Sequence, residues 1–445
     1  MKTRIISAAV FLAACYVSVG IINNRSILQD NEVSKGKDLA SLPKEKIEEE
    51  EEEKPCVFMT VMGEQPSEGF AAAKRDAKID DKIMQGELWL IKAQNKDGGW
   101  GAGSHARQNV MDPHAVSSDP ATTAMTAMAL YRCGYNLESG KYSDVLKKSL
   151  NYLLTEIEKT KNNPNFITEV RGTQIQSKLG ENIDAVLTLQ FLNQVYPMLK
   201  DASLKTKVKE AIQICVNKIE KSYDETGKVK GAGWAGVLQS SFASSSLETA
   251  AKNKDIKVNK EKLQKSREYQ KSNYNAESES VKAEDGAGIV LYAVSCSVRG
   301  SAKESQEAKA IINQAKREGK LDKNAVLNKE NLKKAGVSEE QAEVYDVADK
   351  VYNSAKVKAM NKEVISGFGN NGGEEFLSFL QTGESMIVNQ DEEWKKWYDD
   401  VSGRIMSIQN NDGSWNGHHC ITSPVFCTAT CLMILTIEND IKKLQ

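Results

Sequence analysis

Four histidines are the scarcest chemistry-bearing side chains in this chain of 445 residues, and they are unevenly placed. His105 and His114 share one polar stretch near the start of the patterned sequence. His418 and His419 lie near its end and are followed at once by Cys420. Asp112 and Asp119 sit close to the first pair. Imidazole with thiolate or carboxylate, taken three or four at a time, is a donor set for Zn²⁺. The same residue types also serve as acid/base groups near neutral pH, or simply hydrogen-bond a loop together. All three roles are open. His418 and His419 are adjacent, so on an extended backbone their rings point apart and only one faces a given centre.

Other reactive types are less pointed. Cys427 and Cys431 are spaced i, i+4 on an apolar helix, a spacing that suits core packing. Ser240, Ser241 and Ser244 to Ser246 cluster without a nucleophile-elbow glycine pattern. Arg171 precedes a helix start and is placed to meet an anion there. Asp80-Asp81, Asp399-Asp400 and the pair Asp346 and Asp349 fall on charged helix faces and read as solvated.

The elements that must position the histidines repeat along the chain. Gln94-Asn95-Lys96-Asp97-Gly98-Gly99-Trp100 precedes the apolar run Thr123 to Leu130. Gln409-Asn410-Asn411-Asp412-Gly413-Ser414-Trp415 precedes Thr428 to Leu435. Each reads as a helix ending at the glutamine, an Asp-Gly turn that needs positive φ, a tryptophan folding back, and a new helix. Asp119-Pro120 and Ser423-Pro424 are N-cap and N1 signals for those new helices. Gly231-Ala232-Gly233-Trp234 and Gly367-Phe368-Gly369 read as weaker copies. Apolar helices over 181–196, 240–251, 285–299 and 372–388 complete a set of six. They alternate with Lys/Glu-rich amphipathic helices near 79–93, 143–159, 204–222, 260–273, 303–318 and 392–408. Helices apolar all round belong inside and one-faced helices outside. The pattern predicts an all-α fold of six helical hairpins in two concentric layers. Residues 319–362 are expected as a helical insertion.

The Gln-x-x-Asp-Gly-[Gly/Ser]-Trp segments resemble the QW repeats of squalene and oxidosqualene cyclases. More widely, residues 76–440 resemble the squalene-cyclase-like and prenyltransferase α/α-toroid superfamily. The stretch from Gly372 through Trp394 and Trp397 to Trp415 is most similar to the C-terminal repeats of exported bacterial members. The resemblance implies a closed α/α toroid whose first and last hairpins are neighbours, so that the loops carrying His105, His114, His418, His419 and Cys420 converge. It implies an isoprenoid or lipid substrate for catalytic members, and a catalytic zinc in the prenyltransferases. The Asp-x-Asp-Asp acid of the cyclases is absent, and the Asp-Asp-x-x-Asp diphosphate motif with it. A glycan-processing toroid would need two carboxylates across a groove, and no such pair stands out in the sequence.

Composition bounds the rest. Lys plus Arg is 59 and Asp plus Glu 61, a net charge of -2, without the basic excess of a nucleic-acid binder. Lys2 and Arg4 precede an apolar run from Ile5 to Ile22, the form of a signal peptide or anchor over residues 1–22. Within it Leu12-Ala13-Ala14-Cys15 is similar to a bacterial lipobox, which marks Cys15 for acylation. Residues 23–75, with six consecutive glutamates from Glu48 to Glu53, have the composition of an acidic, disordered tether. The expected protein is exported to the periplasm or cell envelope and held to the membrane by its N-terminus. Its toroid would bind an envelope protein or a small apolar ligand. The alternative is an enzyme acting on an isoprenoid or lipid through a histidine or zinc site at one end of the toroid.

Overall fold

The computed structural model describes residues 76–368 and 371–440. The stretches expected as an export signal and an acidic tether, with Cys15, lie outside the described residues.

Six hairpins follow one another. Each runs from a one-faced outer helix to an inner one. The pairs are α1 (Ala77–Lys92) and α2 (Pro120–Arg132), α3 (Ser143–Lys159) and α5 (Ile183–Val195), and α6 (Ala202–Ser222) and α7 (Gly236–Ala251). They continue with α8 (Lys260–Lys271) and α9 (Val290–Arg317), α11 (Glu339–Met360) and α12 (Gly373–Asn389), and α13 (Trp394–Ser407) and α14 (Pro424–Leu435). Two short helices, α4 (Gln174–Leu179) and α10 (Lys329–Lys334), fill connections. The described strands are two, Tyr274–Asn275 and Ser280–Val281, paired antiparallel with Tyr274 opposite Val281. The inner helices pack in order around a ring, and α14 closes it on α2. All residues of α2 and of α14 are buried. No helix among the described residues is long and apolar enough to cross a membrane.

The inner helices start where the sequence signals them. The Asp119 carboxylate accepts from Thr122 N at 2.8 Å, and Ser423 Oγ accepts from Phe426 N at 3.3 Å, each with proline at the first helical position. The tryptophan motifs then bind layer to layer. Trp100 Nε1 donates to Leu90 O at 2.9 Å, and Trp415 Nε1 to Ile405 O at 2.8 Å, each on the preceding outer helix. Their backbone amides donate to Thr123 Oγ1 and Thr428 Oγ1 on the following inner helix. Gln94 Nε2 bonds its own turn at Gly98 O and the next outer helix at Val145 O, both at 2.9 Å.

Two expectations are corrected here. Residues 303–318 are not a separate outer helix but the second half of α9. Gly300 does not break the helix. A Cβ there would meet Gln270 Cβ at 2.6 Å, so this glycine lets α8 lie close. The outer place in the fifth hairpin is taken by α11, from within the stretch expected as an insertion. Val351, Tyr352, Ala355 and Ala359 of α11 form a second core with Val294, Val298 and Ala302 of α9.

The second correction concerns Trp234. It is not the motif tryptophan of its hairpin. Gly227 has φ +87°, its amide donates to Asp224 O, and Val229 N donates to Ser240 Oγ at 3.1 Å. These bonds reproduce those of Gly98 and Trp100, with buried Val229 in the tryptophan's place. Trp234 is left 66% exposed. Phe368 of the other weak copy is 60% exposed.

Gly413 sits at φ +93°, where a Cβ would meet Gln85 O at 2.8 Å, whereas the helical Gly403 has nothing within 4 Å. Gly413→Ala is therefore expected to destabilise by more than ~1 kcal/mol. Gly403→Ala should stabilise by about 0.5–1 kcal/mol. Urea unfolding of the two variants checks the opposite signs.

Candidate functional site

The N-termini of the inner helices share one end of the ring, and the loops carrying the histidines meet there. Gln108 Nε2 donates to Cys420 O at 2.8 Å, and Thr422 Oγ1 donates to Gln108 O at 2.6 Å. Gln174 Oε1 accepts from Thr422 N at 2.8 Å and Ser423 N at 3.1 Å, so α4 holds the start of α14. The loops converge, but the imidazoles do not. His105 Nδ1 lies 2.8 Å from Gln108 Nε2. His114 is exposed, with Nδ1 3.3 Å from Asn95 Oδ1. His418 is exposed and takes part through its backbone, donating to Asn371 O. Among the described residues no three His, Cys, Asp or Glu side chains come together as a metal site. The cause is local. Cys420 turns at φ +59°, a conformation few side chains adopt, and this tight turn follows His418 in solvent and His419 on the protein.

His419 faces acids that the sequence pattern did not single out. Glu374 and Glu375 open α12 and are both almost fully buried. Glu375 Oε1 accepts from Tyr292 Oη at 2.6 Å and Phe368 N at 3.0 Å. Its Oε2 has no hydrogen-bond partner and lies 3.9 Å from His419 Nε2. Both ring nitrogens of His419 are likewise unpartnered. Glu374 Oε2 accepts only a long bond from Ile421 N, 3.3 Å. Burial and the neighbouring Glu375 charge push Glu374 up to about 8, so it holds a proton at neutral pH. Lys178, 4% exposed, lies beside the Cys420 thiol. Burial and then the Glu374 charge raise that thiol, against the opposing pull of Lys178. Burial and, more weakly, the Lys178 charge lower His105. Asp184, at the start of α5, is pushed up to about 7 by burial and the Asp119 charge. Arg171 stacks on Phe166 and lies 4.0 Å from Asp184, which is its anion.

A cavity of about 450 Å³ opens at the other end of the ring. Met125, Met128, Phe242, Leu380 and Met433 supply its apolar wall, drawn from four inner helices. Arg132 crosses that wall and is buried, donating to Glu384 Oε1 at 2.6 Å and Met433 O at 2.9 Å. At 1.5 Å rise per residue, the cavity residues of α5, Gln190 to Gln194, lie roughly 9–15 Å along the helix from Asp184. The apolar cavity and the protonated acids thus occupy different ends.

The structural motif residues are engaged in binding the ring together. Asp97 Oδ1 accepts from Gly99 N and Ser118 Oγ, and Asp412 Oδ1 from Ser414 N and Oγ. Cys427 and Cys431 are free and buried. Ser241 Oγ donates to Gln381 Oε1 at 2.7 Å inside the core.

The sequence matches no family model and no curated protein sequence. Among solved structures the chain is similar to a wild-type glycosidase at TM-score 0.42 and 9% identity, covering 83% of this chain and 100% of that one. It is similar to a glycosidase variant in complex with glucose at TM-score 0.44 and 10% identity, with the same coverage.

The acid end carries a pH dependence with a definite sign. Glu374 rises from an ordinary value of 4.5 to about 8 on folding, and Asp184 from 3.8 to about 7. Raised acids contribute stability that is full below their unfolded values and lost as pH climbs through the folded ones. The urea midpoint is therefore expected to fall between about pH 4 and about pH 8. Glu374→Gln should flatten much of that fall.

Proposed function

We propose that this protein is an exported toroid that binds one small, elongated apolar molecule in the cavity at the C-terminal end of its inner ring. The observation that carries this reading is the cavity itself. Its volume of about 450 Å³ lies within the range of sites that enclose a small organic ligand. Methionine, leucine and phenylalanine form its apolar wall beside polar residues such as Gln190, Gln194 and Thr249, and flexible thioether walls adapt to unbranched or branched chains alike. The arrangement favours binding over turnover. The groups that hold a movable proton, Glu374 and Asp184, stand toward the N-terminal ends of α12 and α5, roughly 9 Å along each helix from the cavity residues Leu380 and Gln190. The polar pair within the wall, Arg132 and Glu384, is already mutually satisfied.

We place the toroid outside the cytoplasm on the residues that open the chain. Lys2, Arg4 and the apolar run to Ile22 are an export signal, and acylated Cys15 would tether the acidic segment and the ring to a membrane. A ligand taken up there would be a lipid or isoprenoid of the envelope. Kinship with the squalene-cyclase-like toroids rests on the glutamine–tryptophan turns, and the absent Asp-x-Asp-Asp acid sets this chain apart from the cyclases.

Titration of the full-length chain with the apolar fluorophore N-phenyl-1-naphthylamine tests the cavity. Saturable binding of one probe per chain is expected. Met128→Trp, which fills the cavity, should weaken it more than about tenfold, the equivalent of ~1.4 kcal/mol. Non-saturable binding, or binding indifferent to that substitution in a folded variant, would refute the proposal.

A further inference from the structure

The two weak motif copies leave a different kind of surface at the N-terminal end of the ring. Trp234 and Phe368 are the exposed Trp and Phe side chains among the described residues. Neither is needed as a motif residue. Val229 occupies the motif position of the third hairpin, and Phe368 takes part in the fifth through its backbone bond to Glu375. Both rings rest on the buried polar cluster. Phe368 packs on His419 with ring centres 5.0 Å apart, and Lys178 Nζ lies 4.4 Å from the Trp234 ring centre. Lys178 in turn touches Cys420, the residue after His419.

Beside the Phe368 ring the structure holds polar atoms that nothing within the protein satisfies. Glu375 is 1% exposed, and its Oε2 is an unpartnered acceptor. His419 Nε2, also unpartnered, is 3.9 Å away. Leaving such atoms buried and unmet costs about 1–3 kcal/mol each. An oxygen ~2.8 Å from both atoms would subtend an angle of about 90°, which suits a hydroxyl that donates to the carboxylate and accepts from the imidazole. Gly372 lies directly against the pair: a Cβ there would meet Glu375 Oε2 and His419 Cε1, each at 2.9 Å.

The chemistry narrows the ligand. An anion would face Glu375. A cation would satisfy Glu375 and leave a ring N–H of His419 opposed, and Lys178 already occupies a cation's place over Trp234. A metal ion lacks a third donor. A hydroxyl satisfies both atoms, and a ligand that offers hydroxyls beside an apolar C–H face also meets the exposed indole and phenyl rings. We propose that the N-terminal end of the ring is a second binding site for a neutral polyhydroxylated ligand, a sugar ring, with Glu375 and His419 gripping a hydroxyl and Trp234 and Phe368 as stacking faces.

Saturation-transfer NMR on the full-length chain with maltoheptaose, cellohexaose and chitohexaose tests this. At least one oligosaccharide should receive saturation, and Trp234→Ala should weaken its binding at least tenfold. Glu375→Gln should do the same, and the cavity-filling Met128→Trp should leave it unchanged, which separates this site from the axial one. Should Glu375→Gln fail to fold, the exposed Trp234→Ala and Phe368→Ala decide the matter. No transfer to any of the three sugars, transfer that survives Trp234→Ala, or transfer lost only in Met128→Trp would overturn the proposal.

Discussion

Gln409 Nε2 donates to Gly413 O of its own turn and to Lys82 O on the first outer helix, 327 residues away, at 2.8 and 2.9 Å. Asp412 adds a bond from Trp89 Nε1 at 3.0 Å. Beneath them Trp415 fills the space between α13, α14 and α1, with Gly86 of α1 so close that a Cβ would lie 2.9 Å from the indole. This joint decides whether the chain is a ring or an open stack. An open stack of hairpins would expose the apolar sides of its two end repeats. Here α14 meets α2 instead, and those sides become core. Burying the indole is worth several kcal/mol, while the glutamine bonds fix which carbonyl it meets. Apolar burial supplies the energy and the amide supplies the register.

Ring closure also sets the electrostatics. Six inner helices with a common direction bring their N-terminal partial positive charges to one end. Such an end favours carboxylates, and Asp119, Asp184, Glu374 and Glu375 are all found there. Burial nevertheless outweighs the helix ends for Asp119, Asp184 and Glu374, whose carboxyls all rise. The result is a dense set of protonated and ionised acids that a more open packing of the same helices would leave in water.

Much of this scaffold was readable in the residues. The Asp-Gly turns, the folded-back tryptophans and the Asp119-Pro120 and Ser423-Pro424 starts are local signals, and they appear at the expected positions. The middle repeats were harder. In the third hairpin the glycine of the turn and the residue two places on do the motif's work, but Asp224, Gly227 and Val229 carry it without glutamine or tryptophan. The conspicuous Trp234 drew the alignment five residues astray. The split into helices at 285–299 and 303–318 failed because the chain runs on as one helix through Gly300, whose missing side chain admits α8. The site was less legible than the fold. Glu374, Glu375, Tyr292 and Lys178 come from three inner-layer segments, and only closure brings them to His419 and Cys420. A lone glutamate pair at a helix start says nothing of the histidine it will face.

The two ends of the ring therefore differ in what they can select. At the C-terminal end several polar groups around the cavity already have structural partners, although Gln194 Oε1 has none. Arg132 serves Glu384 and Met433 O, and Asn193 Nδ2 donates to Ser246 O. A ligand bound there as proposed would be selected chiefly by length and apolar shape, with Gln194 Oε1 as the acceptor left to it. At the N-terminal end the balance is reversed. Stacking faces are few and small, but Glu375 Oε2 and His419 stand unpaired, and an unpaired buried atom discriminates more sharply than an apolar wall. A molecule that lacks the matching hydroxyl leaves those atoms unmet, whereas one extra methylene against methionine changes little. On the proposed reading the acid end would supply chemical specificity and the cavity end capacity. The inner helices between them, roughly 18 Å or longer, keep the two demands from interfering.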